Sequence, residues 1–167
     1  MQNIYLDSKR KLSNYIEKNN FNFVRPTVFR LHTLFGIAHP PINMFLGQIY
    51  NSIKNNTKFK MSSGEQLRQY HHYNEVSKVL LEIIINKRTK DKIIDITGKE
   101  WIKLNFIAKT VFDFFNKTDL LQIGTIESSI NEITQNDKEF VKTGGFIFKK
   151  SMPAIILYLK QQLNDFK

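Results

Sequence analysis

Cysteine is absent from all 167 residues, which excludes disulfide staples and thiolate metal sites. Long apolar runs are absent too. No stretch reaches the roughly 20 residues that a membrane-spanning helix needs, and the residues after Met1 are polar and helix-like, without the charged-then-apolar pattern of a secretory leader. A cytoplasmic location with no membrane partner is the expectation. Proline (4) and glycine (7) are scarce, and no linker, internal repeat or low-complexity segment divides the chain, so one domain over residues 1–167 is expected. Acidic residues are the minority, 15 against 25 Lys and Arg, giving a net charge of +10 that favours anionic partners. These cations are scattered, with no block of five or six like charges and no nucleic-acid motif beside them. The charge therefore reads as a solvated basic surface, and a basic RNA- or DNA-binding module ranks last among the functions the chain could have.

What is present is a folded composition, 41% hydrophobic with 14 Phe. Residues 4 to 19 read as a helix in which Tyr5, Lys9, Leu12 and Ile16 form one stripe, expected to face protein. "FVRPTVFRLHTLF" follows as a β-rich run with Pro26 ahead of the strand. "GIAHPP" is a loop, and Ile42, Leu46, Ile49 and Ile53 then recur at helical spacing. "KFKMSS" is a short strand before "GEQLRQYHHYNEV", and an apolar helix runs from about Tyr73 to Asn86, closed by the charged turn "KRTKDK". "KIIDIT" reads as a strand, "KLNFIAKTVFDFFN" as an amphipathic helix and "LLQIG" as another strand. In "NDKEFVKTGG" the glycines suggest a helix stop, and "SMPAIILYLKQQLNDF" is a terminal helix with Met152 and Pro153 in its first turn. Strands alternating with helices predict an α/β fold.

Two Tyr-x-x-x-Lys pairs are present, Tyr5–Lys9 and Tyr50–Lys54, and the spacing alone distinguishes neither from a tyrosine at a core edge beside a lysine stem. His71 and His72 invite a metal reading, but neighbouring strand side chains point to opposite faces and no carboxylate spacing completes a site, so structural or site-edge histidines are expected and no metal. Arg68, from its residues alone, reads as a strand arginine paired with Glu65 or Glu75.

Order separates these readings. Tyr5-x-x-Ser8-Lys9 on a helix is followed by a strand ending in "RLHTLFG" at Arg30 to Gly36, then by a helix, then by "GEQLRQYHHYNEV" at Gly64 to Val76, then by "IIDITGKEW" and a closing "NDKEFVKTGGFIFKKSM". This succession resembles the C-terminal half of the extended short-chain dehydrogenase/reductases, the NAD-dependent sugar-nucleotide epimerases and dehydratases. The likeness runs from about residue 3 to residue 163.

The resemblance implies a partial Rossmann-like fold, the C-terminal strands of its parallel sheet, with the small α/β substrate-binding region. It implies Tyr5 as acid/base and Lys9 as the cation that stabilises its phenolate and holds the nicotinamide ribose. The chemistry is sound, because free tyrosine with a pKa of about 10 needs a nearby cation to act as a base. It further implies His32 bordering the nicotinamide of NAD or NADP, Arg68 on the diphosphate of a nucleotide-sugar substrate, and Thr33 where many members carry a sugar-nucleotide Asn. Glu75 stands at a usual Asp, and Gln69 at the common Asp after the arginine. Tyr50 and Lys54 do not align and are read as core edge and surface. The side chains of Tyr5, Lys9 and Arg68 are expected to converge on one cleft.

Family members hold the cofactor in a Gly-rich strand-turn-helix, and no such segment occurs in these residues; Gly144–Gly145 lack a suitable capped helix after them. The dinucleotide-binding half and the Ser or Thr that assists the tyrosine are therefore expected to be absent. The chain alone is expected to be inactive and not to retain NAD or NADP, and its enzyme status depends on completion by an N-terminal half or a homo-oligomer partner. The alternative is a non-catalytic remnant or subunit that binds a nucleotide sugar or a partner chain.

Overall fold

The structure, a computed structural model, describes residues 4–86, 91–127 and 146–164. Its elements run α1 (Ile4–Lys18), β1 (Val28–Leu31), β2 (Thr33–Phe35), α2 (Phe45–Asn55), β3 (Phe59–Met61), β4 (Leu67–Arg68), β5 (Tyr70–His72), α3 (Tyr73–Ile85), β6 (Ile93–Ile96), β7 (Ile102–Lys103), α4 (Leu104–Phe114), a 3-10 turn (Thr118–Leu120), β8 (Leu121–Ile123) and α5 (Ser151–Asn164). The chain is α/β, as its strand–helix alternation predicts. Among the described residues the strands form four two-stranded ladders: β1 with β6, β2 with β5 and β3 with β8 are parallel, and β4 with β7 is antiparallel. Parallel partners require long crossovers, and helices supply them here.

Two ladders meet end to end in the run read as one strand. β1 aligns Val28 to Leu31 with Ile93 to Ile96, whereas β2 aligns Thr33 to Phe35 with Tyr70 to His72, so the chain changes partner at His32. Arg30 lies opposite Asp95 in the first ladder, and its guanidinium forks onto the carboxylate at 2.5 and 2.6 Å. That geometry pins the register and holds the Arg30 pKa above its ordinary value, chiefly through the hydrogen bond.

The larger core is where helical spacing and burial agree. Ile49, Ile53, Val111, Phe112, Ile155 and Leu159 come from α2, α4 and α5 and close over Phe59 and Met61 of β3. A smaller core joins Val76 of α3 to Ile94 and Ile96 of β6, with Phe148 packed against it. Tyr50 is buried with the Lys54 ammonium 5.6 Å from its ring centroid, the core-edge and surface arrangement expected for that pair.

Three expectations are corrected. Ile42 is exposed and precedes the helix, because a turn from Pro41 to Met44 intervenes and α2 begins only at Phe45. The Tyr5 stripe does not face protein along its length: Tyr5 and Leu12 are 63% and 57% exposed, while Ser13 of α1 is buried. Burial on an amphipathic helix is decided by its neighbours, and of that stripe only Ile16 is partly covered, Tyr5, Lys9 and Leu12 being exposed. The third concerns Lys103, expected to open the amphipathic helix: it pairs with Leu67 in β7, a strand of two residues and too short to show a period, and α4 begins at Leu104. "NDKEFVKTGG" lies outside the described residues, as does most of the "KRTKDK" turn.

Gly47 lets α2 pass against the Pro40–Pro41 segment, since a Cβ there would overlap the Pro41 carbonyl. The obstruction is main chain and has no rotamer to retreat to, so the overlap should outweigh the ~1 kcal/mol that alanine gains in a helix. Gly47→Ala is expected to destabilise the protein by about 1–3 kcal/mol in urea denaturation. An equal or raised midpoint would show that the loop yields freely.

Candidate functional site

The same Pro40–Pro41 segment forms one wall of a cavity of about 250 Å3, whose other walls include Phe45, Leu104, Tyr158 and Tyr70. Its polar groups come from Thr33 and Arg68, two of the residues singled out from the sequence. Pairing explains their meeting. Thr33 lies opposite Tyr70 in the β2–β5 ladder, its amide donating to the Gln69 carbonyl at 3.2 Å, and Arg68 is two residues before Tyr70, on the same face of the strand.

Arg68 is half-buried, and among the described residues its side chain donates only to the carbonyl of Leu67, at 2.9 Å. The alternative partners are otherwise engaged. Glu65 accepts from Lys103 at 2.6 Å and Asn105 at 2.7 Å, which lowers its pKa, and a Glu75 oxygen accepts from the Lys149 amide at 3.3 Å. A guanidinium left with spare donors beside an otherwise apolar cavity suits an anionic group with planar or tetrahedral oxygens. The Tyr70 phenol is buried in the same wall, and burial holds its pKa well above the ordinary value. It is therefore a neutral group across the physiological range.

On the opposite face of this strand lies a buried polar cluster that sequence reasoning did not identify as a unit. Gln69 has no exposed surface; its Oε1 accepts from the Gly98 amide at 2.8 Å, and its Nε2 donates to the Gly98 carbonyl at 3.1 Å and to Thr97 Oγ1 at 3.0 Å. His71 Nε2 is 3.0 Å from Gln69 Oε1, and an oxygen can only accept, so that nitrogen carries the proton. The other ring nitrogen, Nδ1, is buried without a partner among the described residues, and the ring lies 4.1 Å from that of Phe148. Burial foremost, with the charge of His32, pushes the His71 pKa down to about 4.

His32 sits at the junction of β1 and β2, edge-on to Trp101 at 5.2 Å and to His71 at 6.0 Å. Its pKa is lowered, first by burial and then by the Arg68 charge, against the opposing pull of Asp95. His32 packs here and is not among the residues lining the cavity. His72 faces the other way, capping α3 by accepting from the Asn74 amide at 3.3 Å. No cluster of three metal-ligating side chains occurs among the described residues.

Tyr5 and Lys9 do stand together on α1, the ammonium 4.2 Å from the centroid of the phenol ring, a cation–π contact. Neither lines the cavity of Thr33 and Arg68. The expected convergence of Tyr5, Lys9 and Arg68 on one cleft is not present, because the reactive stripe of α1 is turned to solvent. Of the described helices, α2, α3 and α4 open on Met44, His72 and Lys103, and none of these three begins at a glycine turn that would bring backbone amides to a pyrophosphate. No helix among them is long and apolar enough to cross a membrane.

No protein-family model matches the chain, and no curated protein does. Solved structures share its fold at low identity. A GDP-L-fucose synthetase from Naegleria fowleri is 22% identical with a TM-score of 0.62, over 84% of this chain and 46% of that one. A dTDP-glucose 4,6-dehydratase from Bacillus anthracis, solved in complex with NAD, is 10% identical with a TM-score of 0.68, over 98% and 54%. A UDP-glucose 4-epimerase from Thermotoga maritima, solved with UDP-glucose, is 13% identical with a TM-score of 0.65, over 84% and 47%. The chain thus spans about half the length of these neighbours, whose fold is the Rossmann-like one that the resemblance implies.

His71 gives the buried cluster a pH signature. Its folded pKa of about 4 lies below the ordinary 6.5, so the unfolded chain binds the extra proton first and stability falls as pH drops from about 6.5 towards 4. Urea midpoints measured across that window should decline, and His71→Gln should flatten part of the slope. An unaltered slope in the variant would remove His71 as its source.

Proposed function

We propose that the chain is the C-terminal, substrate-binding portion of an NAD(P)-dependent sugar-nucleotide epimerase, dehydratase or reductase, forming one domain over residues 1–167. The observation that carries this reading is the meeting of Thr33 and Arg68 in one cavity. In it, Arg68 holds the diphosphate of a nucleotide sugar through its fork of N–H donors, and Thr33 offers a hydroxyl to the same ligand. The apolar and aromatic walls exclude water from those contacts, which strengthens them. The shared fold of the three sugar-nucleotide enzymes, and the +10 net charge, support the same ligand class.

Tyr5 and Lys9 are the proposed acid/base pair of the completed enzyme. The phenol moves a substrate hydroxyl proton, and the ammonium one turn along α1 stabilises the phenolate that results. Both groups need a covering surface to acquire that role, and none of the described residues supplies one over Tyr5 and Lys9. The cofactor, NAD or NADP, supplies hydride transfer when bound, and its pyrophosphate would rest on residues other than those described. His32 and Lys9 are the groups of this chain proposed to border its nicotinamide end. A non-catalytic subunit that binds a nucleotide sugar or a partner chain is the second reading, favoured by the open exposure of Tyr5. A cytoplasmic setting suits either.

Isothermal calorimetry tests the proposal with UDP-glucose, GDP-fucose and dTDP-glucose in the absence of NAD. At least one should bind, and Arg68→Gln should weaken it by about tenfold or more, the loss of a charge-assisted contact, while Tyr5→Phe leaves it unchanged. Absence of binding by all three, or equal affinity in Arg68→Gln, would contradict the assignment. Titration with NAD should show no low-micromolar site, and such a site would disprove the need for a second, dinucleotide-binding portion.

A further inference from the structure

The buried cluster behind the cavity has a consequence for the cavity itself. At Gln69 the chain leaves one ladder for another: Arg68 is still paired with Ile102 in β4–β7, and Tyr70 is already paired with Thr33 in β2–β5. A strand that changes partner between consecutive pairs receives no continuous ladder to fix its path. Alternation then places Arg68 and Tyr70 on the cavity side and the Gln69 side chain on the other. That side chain is fully buried and uses both ends of its amide, accepting from the Gly98 amide and donating to the Gly98 carbonyl and to Thr97. Its own main-chain carbonyl accepts from the amide of Thr33. Three residues of the cavity wall, Thr33, Arg68 and Tyr70, are therefore bonded to, or adjacent to, this one residue.

We propose that Gln69 is a positioning residue for the cavity, a peg driven into the Thr97–Gly98 turn that fixes the Arg68 guanidinium and the Thr33 hydroxyl relative to each other. The pairing of donor and acceptor in one side chain is what the site requires. A leucine of similar size would fill the space but leave the buried Gly98 amide without its acceptor and the Gly98 carbonyl with only the Thr97 hydroxyl, so the strand would open locally at its point of exchange. The inference rests on reading the Thr33–Arg68 cavity as the ligand site, but its test does not depend on a ligand.

Phenylglyoxal modification, mapped by mass spectrometry, reads the accessibility of each arginine separately. Arg30, held by Asp95 on another ladder, serves as the internal reference. In Gln69→Leu the modification rate of Arg68 should rise roughly tenfold relative to Arg30, the factor given by a 1.4 kcal/mol fall in local opening free energy. Thr97→Ala removes one partner of the peg from the other side and should move Arg68 in the same direction by a smaller factor, which keeps the test available if Gln69→Leu does not fold. An unchanged Arg68 rate in the folded variants, or an equal rise at Arg30 and Arg68, would overturn the inference. Calorimetry with UDP-glucose on the wild-type protein separately reads whether the cavity binds a nucleotide sugar, so failure of the site and failure of the peg give different results.

Discussion

Between Arg68 and Tyr70 the chain exchanges one strand partner for another, and the buried hydrogen bonds of Gln69 to Thr97 and Gly98 hold that exchange in place. Ladders of two or three residues are marginal on their own. Here they are reinforced by side-chain bonds: Gln69 behind the cavity, Arg30 on Asp95 within the β1–β6 ladder, and Ser151, whose hydroxyl donates to the Tyr70 carbonyl at 2.8 Å from the start of α5. Each of these bonds is buried or part of a bidentate pair, the setting in which a polar contact is costly to lose.

The cavity inherits its character from that arrangement. Its lining comes from β2, β4 and β5, from α2 and the loop before it, and from α4 and α5, so it exists only when both the ladders and the larger core are formed. α1 stands apart from this. It contributes Ser13 to the interior and presents its Tyr5–Lys9 face outward, where solvent weakens the effect of the ammonium on the phenol. Substrate binding and proton transfer, which the proposed function places in one enzyme, are thus built into this chain to different degrees. The cavity of Thr33 and Arg68 is enclosed by described residues, whereas Tyr5 and Lys9 stand on an exposed face.

How much of this could be read from the residues depends on range. Helices with a strong apolar period are legible to within a residue or two, as with α3, which ends at Ile85 against an expected Asn86, and the Leu46, Ile49 and Ile53 face of α2. The likeness of successive motifs placed Thr33 and Arg68 at one ligand, and the structure brings them to one cavity. What could not be read was decided by contacts distant in sequence. The break at His32 depends on whether Ile96 or Tyr70 lies alongside, β7 is two residues long, and the outward turn of Tyr5 depends on what covers α1. Gln69 showed only as a departure from a common Asp. Its amide matters because a donor is needed at the Gly98 carbonyl as well as an acceptor at the Gly98 amide, and that need is visible only once residues 69 and 98 are side by side.

The central claim is that Thr33 and Arg68 close on a phosphate-bearing ligand in the cavity between β2 and α5. Chemical-shift mapping by 1H–15N NMR during titration with a nucleotide sugar tests it most directly, because every amide reports its own position. The account predicts shifts concentrated at Thr33, Leu34, Arg68 and Tyr70, with the side-chain Nε–Hε of Arg68 moving furthest. Shifts gathered instead on α1, or on the outer face of α3, with the cavity residues unmoved would contradict it.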